Sequence, residues 1–187
     1  MKRYFWLFAG LTLGWMVFIF CMSAQSIAES KETSGEITLF LAELFYGKGS
    51  EITESMMEPV TLLVRKTAHM AAYAILFLLS YGTVYCYKKS FSAKITGLLA
   101  YGWTVFYAMT DEVHQIFSGR GALVADVIID AFGALIGVAL LFGAVKFFSA
   151  KRIGSKFGWL LATAIGSFAI YILVFVVFHL EVISLFC

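Results

Sequence analysis

Five largely apolar stretches, at 5–22, 67–87, 94–110, 122–147 and 157–180, constrain this chain more than any other feature of it. A helix rises 1.5 Å per residue, so about 20 such residues cross the roughly 30 Å hydrocarbon core of a bilayer. Lipid offers no water to open backbone groups, which makes the helix the natural form for spans of this length. The composition agrees: 61% of the 187 residues are hydrophobic, the mean hydropathy is +0.88, and there is one proline. The expected fold class is an all-α integral membrane protein, a bundle of about five transmembrane helices with an outer loop containing an amphipathic helix. With no internal repeat, low-complexity run or linker, residues 1–187 read as a single helical membrane domain.

Basic residues orient the bundle, because Lys and Arg are retained on the cytoplasmic flanks of short loops. Lys2 and Arg3 precede the first stretch; Lys88, Lys89 and Lys94 lie between or beside the second and third; Lys146, Lys151, Arg152 and Lys156 flank the fourth and fifth. No Asp or Glu accompanies them, so a multi-pass membrane protein is expected, N-terminus inside and, with five spans, C-terminus outside. The net charge of +2 conceals this segregation. Headgroups and insertion account for the basic loops, so no nucleic-acid partner is expected. A signal peptide is the competing reading of the start, but Met22 and the Phe18-Ile19-Phe20 run before Cys21 make poor cleavage contexts, and an uncleaved first helix is expected. Cys21, Cys86 and Cys187 are too scattered for a disulfide framework and are expected to be packing thiols.

The longest connection, 23–66, carries seven glutamates. Within it Ile37, Phe40, Leu41, Leu44 and Phe45 recur at helical spacing, an amphipathic helix whose stripe either lies on the outer leaflet or packs on the tops of the spans. Pro59 suits the first turn of a helix running into the second span.

Three short strings hold nearly all the chemically capable groups, and the topology brings them to one side. Arg65, His69 and Tyr73 are spaced four apart, with Lys66 beside them, giving one helix face a cation, an imidazole and a phenol. Asp111, Glu112, His114 and Gln115 close the third span and lead through Ser118 and Gly119 to Arg120; a helix continued through Gln115 would put Asp111 beside both His114 and Gln115. Asp126 and Asp130 follow on the fourth span, where each carboxylate costs on the order of 2.5–3.5 kcal/mol at a helix centre and so needs a partner such as Arg65, Lys66, His69 or Arg120. Gly133 and Gly137 continue that face and offer a groove for another helix. His179 and the four tryptophans read as interfacial and packing residues.

Taken in order and spacing, these strings resemble the VanZ-like family of bacterial membrane proteins. The resemblance begins at Ser23-Ala24-Gln25, similar to that family's serine-x-glutamine segment, and covers the first four helices, 1–148; the span at 157–180 is additional. Ser118 stands where many members have proline, which softens that turn. The resemblance implies an association with teicoplanin resistance and the cell envelope and brings no accepted reaction with it.

Three functions follow from the residues. One is an envelope factor that binds or remodels an amphiphile at the outer leaflet, lowering access of a lipoglycopeptide antibiotic to its target. Arg65, Lys66, His69, Tyr73, Gln115 and Arg120 would then bind membrane lipids or lipid-linked envelope precursors. Another is an intramembrane enzyme using His69, Asp111, Glu112, His114, Asp126 and Asp130 for acid/base chemistry or, if they converge, for one divalent metal. Their spacing matches no metal-ligand signature, so no cofactor is expected. A proton-coupled or small-solute transporter ranks third, because the charges stop near the outer end and there are not two similar halves, although a homo-oligomer could supply one. A structural ion network fixing helix registry is the non-functional alternative.

Overall fold

A computed structural model describes residues 2–25, 27–47, 52–117 and 124–186. They form six helices: α1 Lys2–Ser23, α2 Ile27–Tyr46, α3 Glu54–Tyr87, α4 Ala93–Phe117, α5 Val124–Ser149 and α6 Ile153–Phe186. The fold is an all-α membrane bundle, and among the described residues four helices are long and apolar enough to cross a bilayer: α1, α3, α5 and α6. The fifth expected span, 94–110, lies within α4, which packs on both α3 and α5. At 25 residues it reaches about 37 Å, but its tyrosines, threonines and tryptophan dilute its apolar character.

α3 is the hub, touching α1, α2, α4 and α5, while α6 docks on α5. Close approach of α3 and α5 is set by glycine. A Cβ built on Gly133 would stand 2.5 Å from the Met70 carbonyl oxygen, and one on Gly137 would stand 2.7 Å from that of Ala74. The expected groove is therefore occupied, and its occupant is the backbone of α3. Gly82 plays the same part under the Phe8 ring of α1, and Gly143 under Thr163 of α6.

Apolar association supplies little drive in lipid, so polar ties between helices matter, each worth about 0.6–2 kcal/mol. The Trp15 indole donates to the Ala72 carbonyl at 2.9 Å and the Tyr107 hydroxyl to the Met16 carbonyl at 2.5 Å, joining α1 to α3 and α4. Thr12 and Thr83 share a hydrogen bond at 2.9 Å, and Thr67 meets Tyr171 of α6 at 3.0 Å. Around these ties Ile19, Tyr73, Leu76 and Ala108 make one buried cluster, with Phe77, Ala100 and Ala134 in a second. Outward faces are apolar, as lipid requires: Trp6, Leu98, Phe106, Phe148 and Phe168 are all exposed.

Two details correct the sequence reading. Pro59 lies inside α3, beyond the first turn, because the helix already starts at Glu54 after Thr53, whose carbonyl accepts the amides of Met56 and Met57 at 3.0 and 3.1 Å. Cys21 is a free thiol exposed at the outer surface of α1, and Cys187 lies outside the described residues. The amphipathic segment is helical as α2, and it meets α3 through buried Thr38 and Ala42. Ile37, Phe40, Leu44 and Phe45 turn outward and are exposed, so the stripe does not cover the tops of the spans.

Candidate functional site

The polar strings meet at the end of the bundle formed by the C-termini of α1 and α4, the N-terminus of α5 and the middle of α3. Gly133 brings α5 against Met70, which sets the preceding turns of the two helices side by side. Lys66 and Asp126 form an ion pair there, their side chains 22% and 20% exposed. One turn deeper, His69 Nδ1 stands 3.6 Å from an oxygen of Asp130. Two of the partners expected for the aspartates are thus in place, arranged as two successive rungs.

Deeper still, Tyr73 is fully buried and within electrostatic reach of Asp130, Asp111, Tyr107 and Glu112. Its hydroxyl has no hydrogen-bond partner among the described residues, and neither does Oδ2 of Asp130, a residue only 1% exposed. Burying a polar group without a partner costs about 1–3 kcal/mol by mutational measures, so two in one neighbourhood are a feature that folding alone does not favour.

The α4 string forms the opposite wall. Asp111 and Glu112 are 2% and 4% exposed, and the Gln115 amide bridges them, donating to Asp111 at 3.3 Å and to Glu112 at 2.9 Å. The second partner of Asp111 comes from α1: the Ser23 hydroxyl donates to Oδ1 at 2.5 Å, inside the protein. Ser23 was not among the candidate site residues, although it opens the serine-x-glutamine segment. A serine ending a span, on the side where the acids gather, was the available signal.

His114 departs from expectation. Asp111 pairs with Gln115, as continuation of the helix through that residue predicts, but the imidazole of His114 turns to α1, its ring centre 3.9 Å from that of Phe20 and tilted by 33° to it. Positions three and four residues on from Asp111 are both its neighbours on the helix, so the outcome is decided by the adjoining helix: Phe20 of α1 takes the imidazole, and Gln115 is left to bond Asp111. Arg65 is partly exposed and makes no ion pair among the described residues. Arg120 and its turn, 118–123, lie outside the described residues, as does the side chain of His179.

Chemically, the site holds buried acceptors, an imidazole at a carboxylate, a phenol and one ammonium, facing the same end of the bundle. Lys66, partly exposed and paired with Asp126, is the cation of the group. Among the described residues, no three His, Cys, Asp or Glu side chains gather in an arrangement that could hold a metal.

No curated protein and no solved structure matches this chain. The profile of one family does, VanZ/LLP1, over residues 8–149, which run from within α1 to the end of α5 and include every residue of the cluster just described. With more than half of its length matched, the chain belongs to the VanZ/LLP1 family.

Proposed function

We propose that this protein is a cell-envelope factor of the bacterial cytoplasmic membrane that binds or remodels an amphiphile at the outer leaflet. The headgroup engages the cluster of Lys66, His69, Tyr73, Asp111, Gln115 and Asp130, and the acyl chains lie along the apolar faces of the bundle. Arg65 and Arg120 add charge for a phosphate on the ligand. Where the ligand is a lipid or lipid-linked precursor that a lipoglycopeptide needs, the outcome is lower susceptibility to teicoplanin-type drugs. The observation that carries this reading is the pair of buried, unpartnered groups, the Tyr73 hydroxyl and Asp130 Oδ2, close to the Lys66–Asp126 ion pair. Such vacancies in hydrogen bonding suit an incoming headgroup better than a finished structural network.

Orientation belongs to the same proposal. Basic flanks at Lys2, Arg3, Lys88 and Lys89 and at Lys151 and Arg152 put the N-terminus inside, and five crossings, α4 included, put the C-terminus outside. Phosphatase fusions after α1 and after α4 should then be active, and fusions after α3 and α5 inactive.

The deciding test is growth inhibition by teicoplanin and by vancomycin in a susceptible Gram-positive host expressing either wild type or Asp111→Asn at matched membrane levels. Tolerance selective for teicoplanin, lost in the variant, is the expected result. Absence of tolerance from well-inserted wild type would remove the resistance reading.

A second reading draws on the two hydrogen-bonded or ion-paired couples, Ser23 with Asp111 and His69 with Asp130. An alcohol on a carboxylate and an imidazole on a carboxylate are the elements of acid/base chemistry on a lipid headgroup. Turnover on a panel of lipids with diverse headgroups, abolished by His69→Gln, would favour this enzyme over a binder.

A further inference from the structure

In a helix surrounded by lipid, a serine or threonine hydroxyl ordinarily donates to the carbonyl one turn back, because no bulk water competes for it. Thr12, Thr83 and Thr104 do so, bonding the Phe8, Leu79 and Ala100 carbonyls at 2.8, 3.0 and 2.8 Å. Ser80 of α3 and Thr96 of α4 do not. Both are buried, 2% and 0% exposed, and neither hydroxyl has a hydrogen-bond partner among the described residues. The Leu76 and Ser92 carbonyls stand one turn back from them, so leaving these unused points to a partner from outside the protein. In a closed helix seam the partner of the right size is water.

The two hydroxyls lie on one seam. α3 and α4 are an antiparallel hairpin joined by residues 88–92, and Phe77 packing on Ala100 fixes which faces meet. Along α4 that face carries Thr96, Ala100, Thr104 and Ala108, four apart and all fully buried; along α3, Ser80 follows Tyr73 by seven residues and shares its face. Counted from the connection, Ser80 is level with Ala100, so Thr96 and Thr104 stand about 6 Å to either side of it along the bundle. One water with hydrogen bonds of about 2.8 Å on each side spans such a step. Hydroxyls thus continue from the basic end of the bundle to its middle, where charged side chains do not reach. There Leu76, Ile19 and Ala108 close the seam with an apolar layer, and beyond it stand Tyr73 and Asp130.

We propose that this seam is a water-bearing proton path from the basic end of the bundle to the Asp130 carboxylate, with the layer at Leu76 as its gate. Each hydroxyl or water accepts a proton on the side of the 88–92 connection and passes its own onward, so only O–H bonds form and break. Apolar constrictions of this kind open by wetting. The proton then reaches Oδ2 of Asp130, which has no partner among the described residues, and leaves through His69, whose Nδ1 is 3.6 Å from the other carboxylate oxygen and whose side chain is 29% exposed. Around this terminus stand His69 and Tyr73 of α3, Asp111 of α4 and Asp126 of α5, with Lys66 within electrostatic reach of His69 and Glu112 of Tyr73. Proton movement across the membrane is an activity that the amphiphile reading neither requires nor supplies.

The test uses the full chain in phosphatidylglycerol liposomes loaded with pyranine, a potassium gradient with valinomycin driving protons inward. Leu76→Ser, which wets the gate, should raise the flux at least fivefold over protein-free liposomes. Adding Ser80→Ala and Thr96→Val should remove most of that gain, and adding Asp130→Asn all of it. Ser80→Ala and Thr96→Val delete unpartnered hydroxyls, so the melting temperature should hold or rise and lost flux is separable from lost fold. Access is measured with the gate intact, in a chain whose Cys21, Cys86 and Cys187 are changed to serine. Silver ion added at the basic end should protect Ser80→Cys and Thr96→Cys from maleimide labelling after denaturation, and should leave Ala134→Cys, packed with Phe77, unprotected. Flux through Leu76→Ser no greater than in protein-free liposomes, flux indifferent to the two hydroxyl deletions, or no silver protection at either position overturns the proposal.

Discussion

Replacing Gly133 with alanine tests how the site is held together. The added Cβ would lie 2.5 Å from the Met70 carbonyl oxygen, 2.8 Å from its Cα and 3.0 Å from its carbonyl carbon. These are backbone atoms of a helix interior and cannot rotate away. Reaching ordinary contact at 3.4 Å requires α3 and α5 to part by about 0.9 Å at this level. Overpacking of this kind costs about 1–3 kcal/mol, and alanine's better helix propensity returns at most about 1 kcal/mol. The movement also carries His69 and Asp130, now 3.6 Å apart, past the roughly 4 Å limit of an ion pair. Gly10→Ala is the matched control, since a Cβ there meets nothing within 4 Å and only the propensity gain remains. Unfolding of both variants in detergent micelles, followed by tryptophan fluorescence, should show Gly133→Ala destabilised and Gly10→Ala neutral or stabilised. Equal stability of the two would mean that the helices tolerate the separation, and the argument that glycine fixes the cluster would fail.

Three further outcomes are expected. Tyr73→Phe removes a buried hydroxyl that has no partner, so stability should stay level or rise by about 1 kcal/mol while teicoplanin tolerance falls; a clear loss of stability would disprove the vacancy. Lys66→Met should cost more than the ~1 kcal/mol of an exposed pair and less than the ~3–5 of a buried one, given side chains about one-fifth exposed. Adding Asp126→Asn should recover part of that loss in a double-mutant cycle, and strict additivity would refute the pairing. Phe40→Trp, on the exposed face of α2, should give blue-shifted emission quenched by brominated lipids if that face rests on the leaflet; emission at the water wavelength would place it in solvent.

Much of this architecture is legible in the sequence because lipid makes composition and length decisive. The helical bundle, the surface helix at Ile37 to Phe45 and the tight seam at Gly133 and Gly137 all follow from local spacing. So does the need of Asp126 and Asp130 for partners, which turn out to be Lys66 and His69, one rung each. What local spacing cannot supply is pairing across long separations. Ser23 and Asp111 are 88 residues apart, and only the way α1 leans on α4 brings them together. Spacing along α4 puts His114 beside Asp111, but its place is decided by Phe20 on another helix. The early start of α3 was hidden by Pro59, a residue that normally marks a first turn and here lies further in.

The cluster also bears on the alternative that these charges only fix helix registry. A registry device is complete when its members satisfy one another, and part of this network is complete: Lys66 answers Asp126, and Ser23 and Gln115 answer Asp111. The next layer is different. Tyr73 and Asp130 are the most deeply buried of the polar residues on α3 and α5, and each keeps an unused hydrogen-bonding atom. Phenylalanine and asparagine would serve packing at lower cost in those positions, because an orphaned hydroxyl and a half-satisfied carboxylate both penalise folding. On the proposed reading the completed pairs are the frame that holds the incomplete ones in position, and Gly133 and Gly137 set how closely α3 and α5 approach. A site built in this way loses stability when the frame is altered and loses function when Tyr73 or Asp130 is altered, and that separation distinguishes a binding cluster from a registry clamp.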